Sequence, residues 1–106
     1  MSATLPFRAR AGVIALGADD AAAITVRVQF ADRWETVAMR CGPQVAVDTL
    51  VQAAIEAFGQ QAHPAHEFVL KLRGHEVRDG AATLAAAGAK DGSTFLLAFR
   101  HRRPVR

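Results

Sequence analysis

Cysteine occurs once in the 106 residues, at Cys41, so neither an intramolecular disulfide nor a cysteine-rich zinc site can form. No apolar run approaches the roughly 20 residues that cross a bilayer as a helix, so no integral membrane segment is expected. Tyrosine is absent, tryptophan occurs only as Trp34, and the lysines are Lys71 and Lys90 alone. A glycine-rich phosphate loop, a catalytic triad and a metal-ligand constellation are all lacking, so a non-enzymatic chain without cofactor or metal is expected. What is present suits one globular domain: 51% of residues are hydrophobic and 22% charged. A chain of this length buries roughly two-thirds of its unfolded surface and folds without staples.

Charge is unevenly placed. The net charge is +3, yet the last seven residues carry four arginines and no acid, and the remainder is slightly acidic. A terminal arginine cluster suits phosphates, anionic lipid or an acidic protein. With no aromatic platform or recognition helix beside it, neither nucleic acid nor membrane is the expected partner. The preference for arginine over lysine, with abundant alanine, reads as a GC-rich bacterial genome. Near the start, Arg8 and Arg10 precede the short apolar run Ala11–Ala18. The run is interrupted by glycine and followed by Asp19-Asp20 where small neutral residues would precede cleavage, so residues 1–23 read as a flexible or loosely docked extension. A single reduced cysteine fits a cytoplasmic location.

Clear periodicity begins at Ile24. Ile24, Val26, Val28 and Phe30 alternate with Thr25, Arg27 and Gln29, the period of a half-buried strand. After a short turn at Ala31-Asp32-Arg33, Val37, Met39 and Cys41 alternate in a second run, and two runs this close form an antiparallel hairpin. Gly42-Pro43 ends it. Leu50, Val51, Ala54, Ile55 and Phe58 then fall on one helical stripe. Thr49 and Gln52 are placed as a capping box, and Gly59 as the left-handed residue that closes the helix. A third strand carries Phe68, Leu70 and Leu72 inward with Val69, Lys71 and Arg73 outward. A short stretch follows from His75 to Arg78, then a turn packed through Leu84. The last strand, Thr94 to Arg100, turns Phe95, Leu97 and Phe99 inward and Leu96, Ala98 and Arg100 outward. The expected class is α+β, one helix across a mixed sheet of four to five strands.

This order, with several local motifs, resembles the ubiquitin family and its β-grasp fold. Val69-Leu70-Lys71-Leu72-Arg73-Gly74, the Asp79-Gly80 pair and Thr83-Leu84 resemble ubiquitin's third strand, its glycine turn and the turn after it. Ser93-Thr94 leading through Phe95–Arg102 resembles its last strand and arginine-bearing tail, and Asp48-Thr49-Leu50 the start of its helix. The resemblance implies a ubiquitin-like domain over residues 24–101 with a basic tail at 102–106. It also implies a role in protein binding, as a modifier in a ubiquitination-like pathway or as a non-covalent adaptor like those associated with type VII secretion. The implied partners are an activating, conjugating or processing enzyme, or a secretion component.

Two departures from the family qualify this. Ubiquitin-like modifiers end in Gly-Gly, which threads the narrow channel of an activating enzyme; here Arg103 and Pro104 stand there, followed by Val105 and Arg106. Glycine's freedom is lost and proline fixes φ. Either a different enzyme accepts Arg102, Arg103, Pro104 and Arg106, or the tail is trimmed, or it is never conjugated. The family's apolar recognition patch is also altered. Its centre corresponds to Lys71, flanked by Val69, Arg73, Leu96, Ala98 and Arg100, a mixture suited to an acidic-rimmed partner with a small apolar centre.

Other chemically suggestive residues read more plainly. Cys41 has the inward phase of a small buried hydrophobe and no neighbouring base. His63-Pro64-Ala65-His66 sits in a proline loop without further ligands, as solvated histidines. Asp19-Asp20 reads as solvated linker. Trp34 reads as a clamp packed on the sheet edge, with an exposed binding anchor as the alternative.

Overall fold

The computed structural model describes residues 13–16 and 22–100. Among these residues, six strands form a single mixed sheet with one α-helix: β1 Val13–Leu16, β2 Ile24–Phe30, β3 Glu35–Cys41, α1 Val47–Ala57, β4 Phe68–Leu72, β5 His75–Glu76 and β6 Thr94–Phe99. Their order across the sheet is β1-β3-β2-β6-β4-β5. The expected hairpin is present, with Val28 opposite Val37 and Ile24 opposite Cys41. The first and last of the expected strands, β2 and β6, lie side by side and parallel at the centre.

The alternation seen in the sequence sets the layers. Val26, Val28 and Phe30 of β2, Met39 and Cys41 of β3, Leu70 of β4 and Phe95 and Leu97 of β6 face α1, which answers with Val47, Leu50, Ala54 and Ile55. Phe30 stacks on Phe58 just beyond the helix (5.2 Å), and Phe68 on Phe99 (4.7 Å). No polar or charged residue is buried among those described.

Three expectations about local structure are corrected. The sheet has six strands because Val13–Leu16, read as part of an extension, pairs in parallel with Ala38–Cys41 of β3. The run hid its period because alternation of Val, Ile, Ala and Leu shows no polar face. The rest of residues 1–21 lies outside the described residues. The capping box at Thr49 and Gln52 is not formed: α1 begins at Val47, and its N-cap, Ala46, has no side-chain cap. Tertiary contact replaces it. The amides of Val47 and Asp48 donate to the carbonyls of Ala82 and Gly80 (both 2.9 Å), and Leu84 donates to Val45 (2.8 Å). The helix end follows expectation: Gly59 has φ +69°, its amide reaches Glu56 O, and that of Gln60 reaches Ile55 O, a Schellman closure. At Gly80 a Cβ would meet the Asp48 carboxylate, so a larger residue there would require that side chain to turn away.

Trp34 is the third correction. It does not clamp the sheet but is 78% exposed, at φ 58°. The four-residue loop from Ala31 to Trp34 is closed by the Trp34 amide on Phe30 O (2.8 Å), and that closure sets its last residue left-handed, with the indole in solvent.

Candidate partner-binding face

The sheet face away from α1 is assembled from the polar members of the alternating strands. Cross-strand pairing sets them in rows. One row runs Thr36, Gln29, Leu96, Lys71 and Glu76, from β3 to β5. A neighbouring row runs Val13, Ala38, Arg27 and Thr94. On the other side of the first row Val69 faces Ala98. Lys71 is exposed, while Leu96 and Ala98 are half-buried between its neighbours. The arrangement provides a shallow apolar centre at Leu96 and Ala98 with cations around it.

The expected residues do not all contribute in the expected way. Val69 is 9% exposed and so buried; it belongs to an interior strand, with β6 on one side and β5 on the other, and offers little to a partner. Arg73 is not on the strand face. With Gly74 it forms the two-residue β4–β5 turn, Arg73 at φ 54° and Gly74 at φ 84°, the left-handed pair of a type I′ hairpin. Its side chain is exposed at the tip.

Arg100 is engaged within the fold. Its amide donates to Glu67 O (2.7 Å), one guanidinium nitrogen donates to a Glu76 carboxylate oxygen (2.8 Å), and the other donates to Phe68 O (3.3 Å). Because β4 lies between β6 and β5, this side chain spans β4 to reach Glu76. The hydrogen bond from Arg100 is the main reason the Glu76 carboxyl titrates below its ordinary value, with the charges of Arg100, Arg78 and Lys71 adding to it. Arg100 therefore fixes the place from which the tail starts. Arg102, Arg103, Pro104 and Arg106 lie outside the described residues.

Two members of the face were not anticipated. Arg27 lies between Ala38 and Thr94, and Arg40 lies between Thr25 and Ala15, donating to Thr25 Oγ1 (3.1 Å). Each was visible as the outward residue of its own strand. Only the β2–β6 adjacency puts Arg27 on one surface with Leu96 and Lys71.

The remaining candidates stay apart from this face. Cys41 is buried, and burial pushes its thiol pKa up despite the nearby Arg40 charge. His63 is more engaged than a solvated loop residue: Nδ1 lies 3.1 Å from Glu67 Oε1, and its ring meets Phe99 edge-on at 5.0 Å. Among the described residues no group of three or more metal-ligating side chains occurs, and no helix is long and apolar enough to cross a membrane.

No protein-family model and no curated protein matches this sequence. Solved structures do. A ubiquitin-like domain of an Arabidopsis thaliana protein is similar with a TM-score of 0.65 at 16% identity, over 85% of this chain and 90% of that one. Caldiarchaeum subterraneum ubiquitin is similar with a TM-score of 0.61 at 18% identity, over 76% and 96%. A designed protein based on ubiquitin gives 0.63 at 16%, over 82% and 100%. The central helix, the parallel β2–β6 pair and these likenesses together establish that the chain has the ubiquitin-like β-grasp fold.

Proposed function

We propose that this chain is a bacterial ubiquitin-like modifier, cytoplasmic and without catalytic activity of its own, that acts by binding proteins in a ubiquitination-like conjugation pathway. The observation that carries the reading is the fixing of Arg100. Its backbone and guanidinium anchor the end of β6 to β4 and β5, so the arginine-rich residues that follow start from a defined point of a ubiquitin-like fold. Arg102 and Arg103 then guide the tail into an acidic groove of an activating or processing enzyme through charge-assisted hydrogen bonds. Lys71 and Arg27 around Leu96 give the folded part a surface of the same sign for the same partner.

The test is incubation of the full chain, and of a chain trimmed after Arg103, with ATP and the cognate adenylating enzyme, read by mass spectrometry. A carboxyl-adenylate or a covalent adduct supports the modifier reading, and the absence of both on both chains overturns it. Arg103-Pro104 in place of paired glycines favours a second reading, a non-covalent adaptor of the kind associated with type VII secretion. Under that reading the partner co-purifies without any change in the chain's mass.

A further inference from the structure

The β4–β5 hairpin and residues 82–87 leave a cleft of about 460 Å³ between them. Leu72 faces the core, and His75 pairs with it across β4 and β5, so both lie on the α1 side of the sheet. Leu72 and Val77 form one apolar wall, and Ala82, Ala86 and Ala87 the other, where methyl side chains leave the space open. The alanine wall is held in place. Leu84 within that segment is buried in the core, the Ala86 amide donates to Thr83 Oγ1, and the Ala87 amide donates to Thr83 O (both 3.0 Å). The rim is charged, with Arg73, His75 and Arg78 beside Glu76 and Asp79. Both acids are already engaged. Glu76 accepts from Arg100 (2.8 Å) and lies 3.5 Å from Arg78 Nε, and Asp79 Oδ1 accepts from the Ala81 amide (3.1 Å). Arg73 and His75 are exposed, with no ion pair or side-chain hydrogen bond among the described residues. Arg73 also stands at φ 54°, where Asn or Gly would sit without strain, so the turn itself does not call for an arginine.

We propose that this cleft binds an acidic peptide segment of a partner protein, with an aliphatic side chain against the alanine wall and a carboxylate held by Arg73 and His75. A concavity with apolar walls and a few polar groups at its mouth is the usual form of a ligand site. A guanidinium without an internal partner presents its fork of donors to a carboxylate in bidentate geometry. Glu76 and Asp79 on the same rim keep the excess of positive charge small, which suits a single carboxylate and not a polyanion. The aliphatic wall asks for an apolar group next to that charge, which sets the ligand apart from a simple anion. The cleft opens on the α1 side of the sheet, away from the outer face around Lys71 and Leu96. It therefore goes beyond the modifier reading and stands whether or not the chain is conjugated.

The test is a heteronuclear NMR titration of the full-length chain with three synthetic peptides. The first, acetylated and amidated, is Ala-Glu-Val-Glu-Ala, and the second replaces both glutamates with glutamine. The third is acetyl-Ala-Gln-Ala-Val with a free terminal carboxylate. Amides of residues 73–78 and 82–87 should shift with the first or the third peptide and not with the second. A response to the first places the carboxylate on a side chain, and a response to the third places it at a chain end. Arg73→Asn should weaken that binding at least about fivefold while the unfolding midpoint does not fall, a combination that a purely structural arginine would not give. Ala86→Leu, which fills the cleft from an exposed position, should abolish it. No shift with either carboxylate peptide, equal shifts with the glutamine peptide, shifts centred on Lys71 and Leu96, or undiminished binding by either folded variant overturns the proposal.

Discussion

Glu76 and Arg73 show how single residues at this sheet edge are held by quite different physics. Glu76 is kept ionised by the Arg100 hydrogen bond and the surrounding cations, so its folded-state pKa lies below the ordinary value of about 4.3. Its contribution to stability is therefore present above that ordinary value and is lost as pH falls through the lowered one. A chemical-shift titration of the Glu76 carboxyl should give a midpoint below that of the exposed glutamates. Glu76→Gln should remove this share of the acid dependence of unfolding and leave the neutral-to-alkaline dependence unchanged. A normal Glu76 midpoint would mean that the Arg100 contact is not formed in solution. Arg73, by contrast, carries backbone strain. An L-residue with a long side chain holds φ 54° in a two-residue turn where Asn is strongly preferred. Arg73→Asn should raise stability by about 0.5–1 kcal/mol in urea unfolding with the slope unchanged; destabilisation would show that the arginine side chain makes a contact worth more than the strain.

At the scale of elements, α1 shows where local sequence signals give way to tertiary structure. Thr49 and Gln52 have the residue types and spacing of a capping box, yet Thr49 lies inside the first turn of a helix that starts at Val47. The early start is possible because the chain from Gly80 to Ala82 supplies carbonyls for the amides that a side-chain cap would otherwise satisfy. A functioning cap loses about 1 kcal/mol on truncation to alanine. Thr49→Ala and Gln52→Ala should each change stability by less than about 0.5 kcal/mol, since both lie outside the cap and helix propensity favours alanine. A loss near 1 kcal/mol from Thr49→Ala, measured by denaturant unfolding, would restore the hydroxyl as the cap. The Gly59 closure was legible for the opposite reason: it needs only a left-handed residue immediately after the apolar stripe, and glycine there is a local signal.

Across the whole molecule, legibility follows the same division between local and long-range information. Alternation in β2, β3, β4 and β6 and the single stripe of α1 were readable because each segment reports its own inward face. β1 was not, because four apolar residues carry no period-two contrast and their partner lies about 25 residues away, across the intervening β2. The candidate face was half legible: Lys71, Leu96 and Ala98 follow from strand phase and Arg27 requires the β2–β6 pairing, while neighbouring strands, turn geometry and the Glu76 contact set the exposure and engagement of Val69, Arg73 and Arg100, which strand phase does not report. Core and face are nevertheless physically separable, since the alternation assigns each residue to one or the other. Replacing Arg27 and Lys71 together with serine removes two exposed side chains that lie away from the α1 side, and should move the unfolding free energy by less than about 1 kcal/mol. Leu97→Ala, one position along from Leu96 but 0% exposed, should cost about 2–5 kcal/mol. If the face engages an acidic partner, the double serine variant should weaken that complex and flatten its salt dependence while remaining folded, as read by binding titrations at low and high ionic strength. A double variant that unfolds as readily as Leu97→Ala would show that Arg27 and Lys71 hold the sheet together, and the face would then lose its standing as a binding surface.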